Sequence, residues 1–248
     1  MVDVVIIGAG MAGLTAAIYA GRAGKDVVVL ESNVKGGEIV ESEMVSNYPG
    51  VANVSGADLM KTVAEQAESF GAKIKYAEVL RVVDRGDVKV VETDDGEYET
   101  KAVILAMGTE PRRLSEKQAA DAGDRPVSYC ATCDGALYAG KPVVVVGSGN
   151  TAKYTIMYLE NIASKVYHIH HDDPIPEDAE AVFVAIGRVP NTGFLKGLVE
   201  LDANGYVVAG EDCKTSCPGI YVAGDCRTKS TRQLVTAAAD GAVAANQL

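Results

Sequence analysis

The 248-residue sequence has no tryptophan and only three phenylalanines, so its core has to be built from Val, Ile, Leu and Ala. No apolar run approaches the roughly 20 residues that a membrane span needs. The opening MVDVVIIGAG lacks a positive n-region and a small-residue cleavage site, and a soluble cytoplasmic protein is expected. Basic residues are in deficit, 23 Lys and Arg against 34 Asp and Glu. The resulting net charge of −11 argues against a nucleic-acid partner and against a basic membrane anchor. Five cysteines are too few, and odd in number, for a disulfide scaffold, so a pair that matters is expected to be catalytic. What remains, 48% hydrophobic and 23% charged, is the composition of a globular chain long enough for one large domain or two small ones.

The β-branched run at 2–7 reads as a parallel strand buried on both faces. An alanine-rich helix over 11–23, stopped by Gly24, and a second strand at 27–30 follow it. Ser55 and Asp58 resemble a capping box that opens a helix running to Phe70. From 73 to 105 the period is two, with turn signals at 85–87 and 94–96, which predicts a three-stranded meander. A second strand–turn–helix–strand spans 142–170, so VVIIGAGMAG (4–13) and VVVVGSGNTA (143–152) are two copies of one unit. Only ten residues, 171–180, then precede the next apolar run at 181–186, and they include Pro174 and Pro176. A parallel crossover needs about a dozen residues or more, usually with a helix, so the second unit reads as cut to its first half.

Gly8, Gly10 and Gly13 follow a strand and open a helix, the spacing of a dinucleotide cradle. Gly8 serves the tight turn, Gly10 the approach of a pyrophosphate, and Gly13 the helix–strand contact. The phosphates belong at the helix N-terminus, and Glu31, 18 residues past Gly13, is placed to accept from a ribose. Cys130 and Cys133 form a C-x-x-C with Asp134 directly after it, a candidate acid/base for thiol exchange. Half a zinc site and a pair of buried small hydrophobes are the alternatives, but no second C-x-x-C lies at ribbon spacing. No metal site is expected. His168, His170 and His171 read as a solvated strand end, with His171 facing away from the other two. Cys213 and Cys217 read as buried spare thiols.

GAGMAG, NYPG (47–50), CATCDG (130–135), AIGRVPN (185–191), AGD (223–225) and RQLVTAAADGAVAA (232–245) occur in that order. The chain thereby resembles the low-molecular-weight thioredoxin reductases of the pyridine-nucleotide–disulfide oxidoreductase family over nearly its whole length. The resemblance implies an α/β protein with two Rossmann-like, FAD/NAD(P)-binding domains. It makes a discontinuous FAD domain of 1–111 and 191–248 and puts a shortened pyridine-nucleotide domain with the C-x-x-C at 112–190. It implies that Gly8, Ala9, Gly10, Gly13 and Glu31 hold the adenosine half of FAD, with Asn47 and Gly108 along the cofactor. Asp225 would take the ribityl or pyrophosphate part, and Arg232 and Gln233 would begin the helix facing the flavin pyrimidine ring. Cys133 would be the thiol against the flavin, Cys130 the one that attacks a partner disulfide, and Asp134 the acid/base. Met107 stands where the family usually has Thr.

The family's NADPH users follow the second strand of the inserted domain with paired arginines, and here the residues are His170, His171, Asp172 and Asp173. Acids at that point repel a 2′-phosphate and suit the free 2′-hydroxyl of NADH. Gly147, Gly149, Ala152 and Asp172 are therefore read either as remnants of a nicotinamide site or, for the first three, as helix–strand packing. The expected work is electron transfer from FAD through Cys130–Cys133 to a thioredoxin-like protein. The donor is left open between NADPH, NADH, and ferredoxin or another reduced carrier. A non-catalytic redox-sensing flavoprotein is the other reading, and a homodimer is implied by the resemblance, with an exposed sheet edge in the short domain as a surface it could cover.

Overall fold

A β-branched run with no polar alternation belongs inside a sheet covered on both faces, and Val2–Ile7 forms such a strand, β1. The computed structural model describes residues 1–170 and 172–248. The expected facing of His171 lies outside the described residues. Helix α1 (Met11–Arg22) follows, and β2 (Val27–Glu31) returns parallel to β1 with Val4 opposite Val27. Helix α2 (Gly56–Ser69) begins where Ser55 Oγ accepts the Asp58 N–H at 3.0 Å and donates to the Asp58 carboxylate at 2.7 Å. That pair satisfies one of the orphan donors of the first turn.

The stretch expected to be a three-stranded meander holds four strands, β3 (Lys73–Tyr76), β4 (Val79–Asp84), β5 (Lys89–Thr93) and β6 (Gly96–Leu105). Strand β3 leaves the meander and pairs parallel with β2, Val28 opposite Lys73, while β4, β5 and β6 are antiparallel. The alternation continues through the break at 77–78, so the period alone does not show it. Strand β6 is long enough to serve both systems: Gly96 to Thr100 pairs with β5, and Thr100 to Leu105 lies parallel to β1.

The chain then separates into two compact units, 1–109 with 190–248 and, between them, 110–189. Strand β7 (Thr109–Pro111) leads into the inserted unit, which contains α3 (Glu116–Ala122), β8 (Val127–Ser128) and the four-residue α4 (Ala131–Asp134). It continues through β9 (Pro142–Val146), α5 (Asn150–Leu159), β10 (Lys165–Ile169) and β11 (Ala181–Val184). Its sheet is parallel throughout, in the order β10-β9-β11-β8. The described residues of the crossing from β10 over β9 to β11 form no helix. Instead Ile175 and Ala179 of the connector are buried with Val144, Val146, Val182 and Val184, so the connector itself covers that face. Its carbonyls find donors: Gln118 Nε2 reaches the His170 and Asp173 oxygens, and Arg125 those of Glu177 and Ala179. These four carbonyls of the crossover are thereby paired without a helix.

Strand β12 (Arg188–Pro190) brings the chain back, and β13 (Ile220–Val222) and α6 (Leu234–Ala245) complete the first unit. β13 lies parallel to the second half of β6. Helix α6 packs closely on α1, because a Cβ at Gly241 would stand 2.2 Å from the Ala12 carbonyl oxygen. One face of the sheet buries Val4, Ile6 and Ile104 under α1, α2 and α6, and the other buries Val5, Ile7, Val103 and Leu105.

Candidate active site

In the first unit, β1 ends at a loop whose backbone must pass very close to its neighbours. Gly8 has φ +104° and a Cβ there would fall 2.4 Å from the Ala106 oxygen; one at Gly13 would fall 1.9 Å from the Gly8 oxygen. Those two glycines bring β1, α1 and β6 together, which is a packing reason. Gly10 differs. A Cβ at Gly10 would have the Gly36 oxygen, 3.9 Å away, as its nearest neighbour, so the space at the start of α1 is open. Open space at the N-terminus of a twelve-residue helix suits an anion held by backbone N–H groups. The carboxylate of Glu31, at the end of β2, accepts the Ala9 N–H at 2.8 Å and the Asn33 N–H at 2.9 Å, which fixes it beside the same loop.

The other expected cofactor residues of this unit come from distant parts of the chain. Asn47 Nδ2 donates to Gln233 Oε1 at 3.3 Å across 186 residues. Gln233 caps α6 in a reciprocal box with Thr236. Asp225 lies in a short 3₁₀ turn, Gly224–Cys226, directly after β13. Gly108 has φ +65° with open space on its Cβ side. Arg232 is committed to the protein: it donates to the Asp225, Arg227 and Lys229 oxygens and lies 4.3 Å over the Tyr206 ring.

In the inserted unit Cys130 and Cys133 form a disulfide with Cα atoms 5.3 Å apart, bracketing the first turn of α4. Among the described residues no group of three or more His, Cys, Asp and Glu side chains is placed to hold a metal. Asp134 Oδ2 accepts from Ser128 Oγ at 2.6 Å, and the same Oγ accepts the Cys130 N–H at 3.1 Å. Tyr138 packs edge-on against buried Phe183 at 5.6 Å and so seats the turn after the disulfide on β11.

The matching family model, pyridine nucleotide-disulphide oxidoreductase, covers residues 2–177 and 172–242. The chain belongs to that family. Among curated proteins it is 34% identical to the thioredoxin reductase of Bacillus subtilis, over 99% of this chain and 93% of the relative. That alignment runs over 294 residues, more than this chain has, so the relative carries segments with no counterpart here. Among solved structures the thioredoxin reductase of Streptococcus pyogenes superposes with a TM-score of 0.92 at 32% identity, over 100% of this chain and 96% of that one. A ferredoxin-flavin thioredoxin reductase from Clostridium acetobutylicum gives 0.63 at 29% identity, over 99% and 96%.

As an oxidoreductase of this family acting on disulfides, the chain has one cysteine pair suited to the work. The remaining thiols are buried: burial pushes Cys213 up to about 11 and Cys226 up to about 12, and raises Cys217 as well. At the second glycine loop the parts serve different ends. Gly147 is required for packing, since a Cβ there would meet the Ala185 oxygen at 2.4 Å, and Ala152 is buried beside it. Gly149, at the start of α5, has no atom within 4 Å of its Cβ position. The loop lines a cleft of about 690 Å³ with Arg112, Arg113, Thr151 and Gly187. Asp172 is exposed in a left-handed turn, and its carbonyl accepts from Lys117.

Three features escaped the sequence reading. Ser128 carries no motif signal beyond its nearness to Cys130. Arg112 and Arg113 precede the second loop by more than thirty residues. Asp240 joins Arg227 and Lys229 in a buried cluster, at 2.8 and 2.7 Å, and also accepts the Gly224 N–H at 2.9 Å. Its signal was available: a lone charge within the apolar run AAADGAVAA calls for buried partners. No helix among the described residues is long and apolar enough to cross a membrane.

Proposed function

We propose that this flavoprotein disulfide reductase passes electrons through Cys130–Cys133 to a thioredoxin-like protein. The observation that carries this reading is the disulfide on a short turn with a carboxylate, Asp134, fixed next to it. The cradle fits FAD on its own geometry: open space at Gly10 beside two glycines that packing requires, and a carboxylate on the loop. Gly8, Ala9, Gly10, Gly13 and Glu31 would hold the adenosine half, Asn47 and Gly108 the length of the cofactor, Asp225 its middle, and Gln233 with α6 the pyrimidine end. Arg232 would act there by shaping the 225–229 loop. Bound FAD supplies a two-electron carrier.

The exchange chemistry belongs to this chain. In the dithiol form Asp134 takes the Cys130 proton, and the thiolate attacks one sulfur of the acceptor disulfide. The sulfur released takes that proton back from Asp134. Cys133, deprotonated in turn by Asp134, attacks Cys130 Sγ, re-forms the enzyme disulfide and releases the second acceptor sulfur, which takes the second proton. Two electrons leave the enzyme dithiol and two protons go with them.

For the donor, we favour one other than NADPH. The acids at Asp172 and Asp173 and the helixless connector support this, because neither supplies a clamp for a 2′-phosphate. The connector is also where we place the segments that longer relatives carry. Gly147, Gly149, Ala152 and Asp172 are then remnants, and ferredoxin or another reduced carrier is the donor class. Strand β10 ends its sheet, and a second copy of the chain covering that edge is the homodimer we assign. Free thiols beside a working disulfide fit the reducing cytoplasm.

The test is an anaerobic titration of the FAD-loaded protein with NADPH, NADH and reduced ferredoxin, following flavin absorbance, then reduction of oxidised thioredoxin. Bleaching by the carrier alone is expected. Stoichiometric bleaching by NADPH would overturn the donor assignment, and failure to reduce thioredoxin from any donor would overturn the function.

A further inference from the structure

We infer that Ser128 is a positioning residue for disulfide exchange, holding the Asp134 carboxylate against the Cys130 end of the redox pair. This rests on the reading of Cys130, Cys133 and Asp134 given above. The direction of its hydrogen bonds is settled by chemistry. The Cys130 N–H can only donate, so Ser128 Oγ accepts it at 3.1 Å, and the hydroxyl proton is left for Asp134 Oδ2 at 2.6 Å. One oxygen atom thus ties the carboxylate to the backbone of the attacking cysteine.

The tie is anchored outside the part that must move. Ser128 belongs to β8, and its pairing with β11, Ser128 opposite Phe183, does not involve the 130–133 turn. Ser128 is 7% exposed, so water competes little for its hydroxyl. Because its strand pairing lies outside the turn, Ser128 keeps its place whether the S–S bond is open or closed, and it keeps the carboxylate aimed. A serine that only filled space on β8 would need no hydroxyl directed at the acid.

The experiment is a double-mutant cycle on the FAD-loaded protein. Wild type, Ser128→Ala, Asp134→Asn and the double variant are reduced with dithionite and mixed rapidly with oxidised thioredoxin. The limiting rate of thioredoxin reduction and the half-saturating concentration are recorded separately. A positioned acid/base contributes about 10²–10⁴-fold, and loosening it in Ser128→Ala should lower the limiting rate by about tenfold or more. Half-saturation should not change. In the Asp134→Asn background the same serine change should have no further effect, because there is no carboxylate left to aim. Ser128→Thr keeps the hydroxyl and should retain most of the rate. An equal loss from Ser128→Ala in both backgrounds, or a threonine variant as slow as alanine, would overturn the proposal. A wild-type protein that reduces no thioredoxin would instead sink the functional reading beneath it.

Discussion

Replacing Asp240 should cost far more than replacing either of its cationic partners. Arg227 donates to it through Nε at 2.9 Å and Nη2 at 2.8 Å, Lys229 Nζ at 2.7 Å, and the Gly224 N–H at 2.9 Å. All three charged side chains are under a tenth exposed. The cluster therefore carries two buried positive charges against one negative. Glu211 lies 3.7 Å from Arg227 but its side chain is 98% exposed, and an ion pair in water adds little. Asp240→Asn leaves both cations uncompensated, at a cost of about 3–5 kcal/mol. Lys229→Met removes the hydrogen bonds from Nζ to Asp240 and to the Thr236 carbonyl but leaves a neutral Arg227–Asp240 pair and no buried charge unpaired, so it should still cost less than Asp240→Asn. For a domain of this size the first variant should melt roughly 6–20 °C below wild type. Thermal melting by circular dichroism at saturating FAD is the assay. The pH dependence follows. Burial alone would raise the Asp240 carboxyl, but hydrogen bonds from Arg227 and Lys229 outweigh it and hold the group below its ordinary value. Its stabilising contribution is thus complete above the unfolded value of about 3.9 and is lost as pH falls below it. Asp240→Asn should flatten that acid limb. A Lys229→Met as costly as Asp240→Asn, or an Asp240→Asn melting within about 2 °C of wild type, under 1 kcal/mol, would refute this account of the cluster.

The glycines of the first loop should separate folding from cofactor capture. Gly13→Ala drives a methyl into the Gly8 carbonyl and should destabilise the unit, whereas Gly10→Ala should fold normally yet lose FAD on gel filtration. A Gly10→Ala protein that keeps its yellow colour would remove the cradle from its assigned role. Native protein should show no rapidly reacting thiol with a chromogenic disulfide reagent, because Cys213, Cys217 and Cys226 are buried and held protonated. After mild reduction two should react, and a third fast thiol would show that one of the buried cysteines is accessible.

The turn at 8–13, its flanking strands and the place of Glu31 at the end of β2 were legible because their spacing is set by backbone geometry that few other residues satisfy. The C-x-x-C was legible for the same reason: four residues of one turn encode it. What depended on long-range pairing was not. Nothing local distinguishes β3, which joins the parallel sheet, from β4, which turns away, since both continue one alternating run. Pro174 and Pro176 pointed correctly to a connector without a helix. They did not show that Ile175 and Ala179 would form the cover, or that Gln118 and Arg125 would satisfy its carbonyls. Ser128 was missed because its value lies in where its hydroxyl points, which composition does not record.

The close seating of α6 on α1 also sets an order of events in the cell. More than two hundred residues separate the two helices along the chain. At about 5–20 residues per second, the ribosome needs some 10–40 s to deliver the second after the first. The unit at 110–189 is uninterrupted in sequence, and it is complete in the nascent chain well before α6 is made. During that interval the face of α1 carrying Ala12 and Ala16 has no partner, and the turn holding Asp225 has no Asp240 to tie it down. If the loop before α1 holds the cofactor as proposed, it is thus among the last parts to become competent, and loading of the cofactor is a late step in the protein's birth.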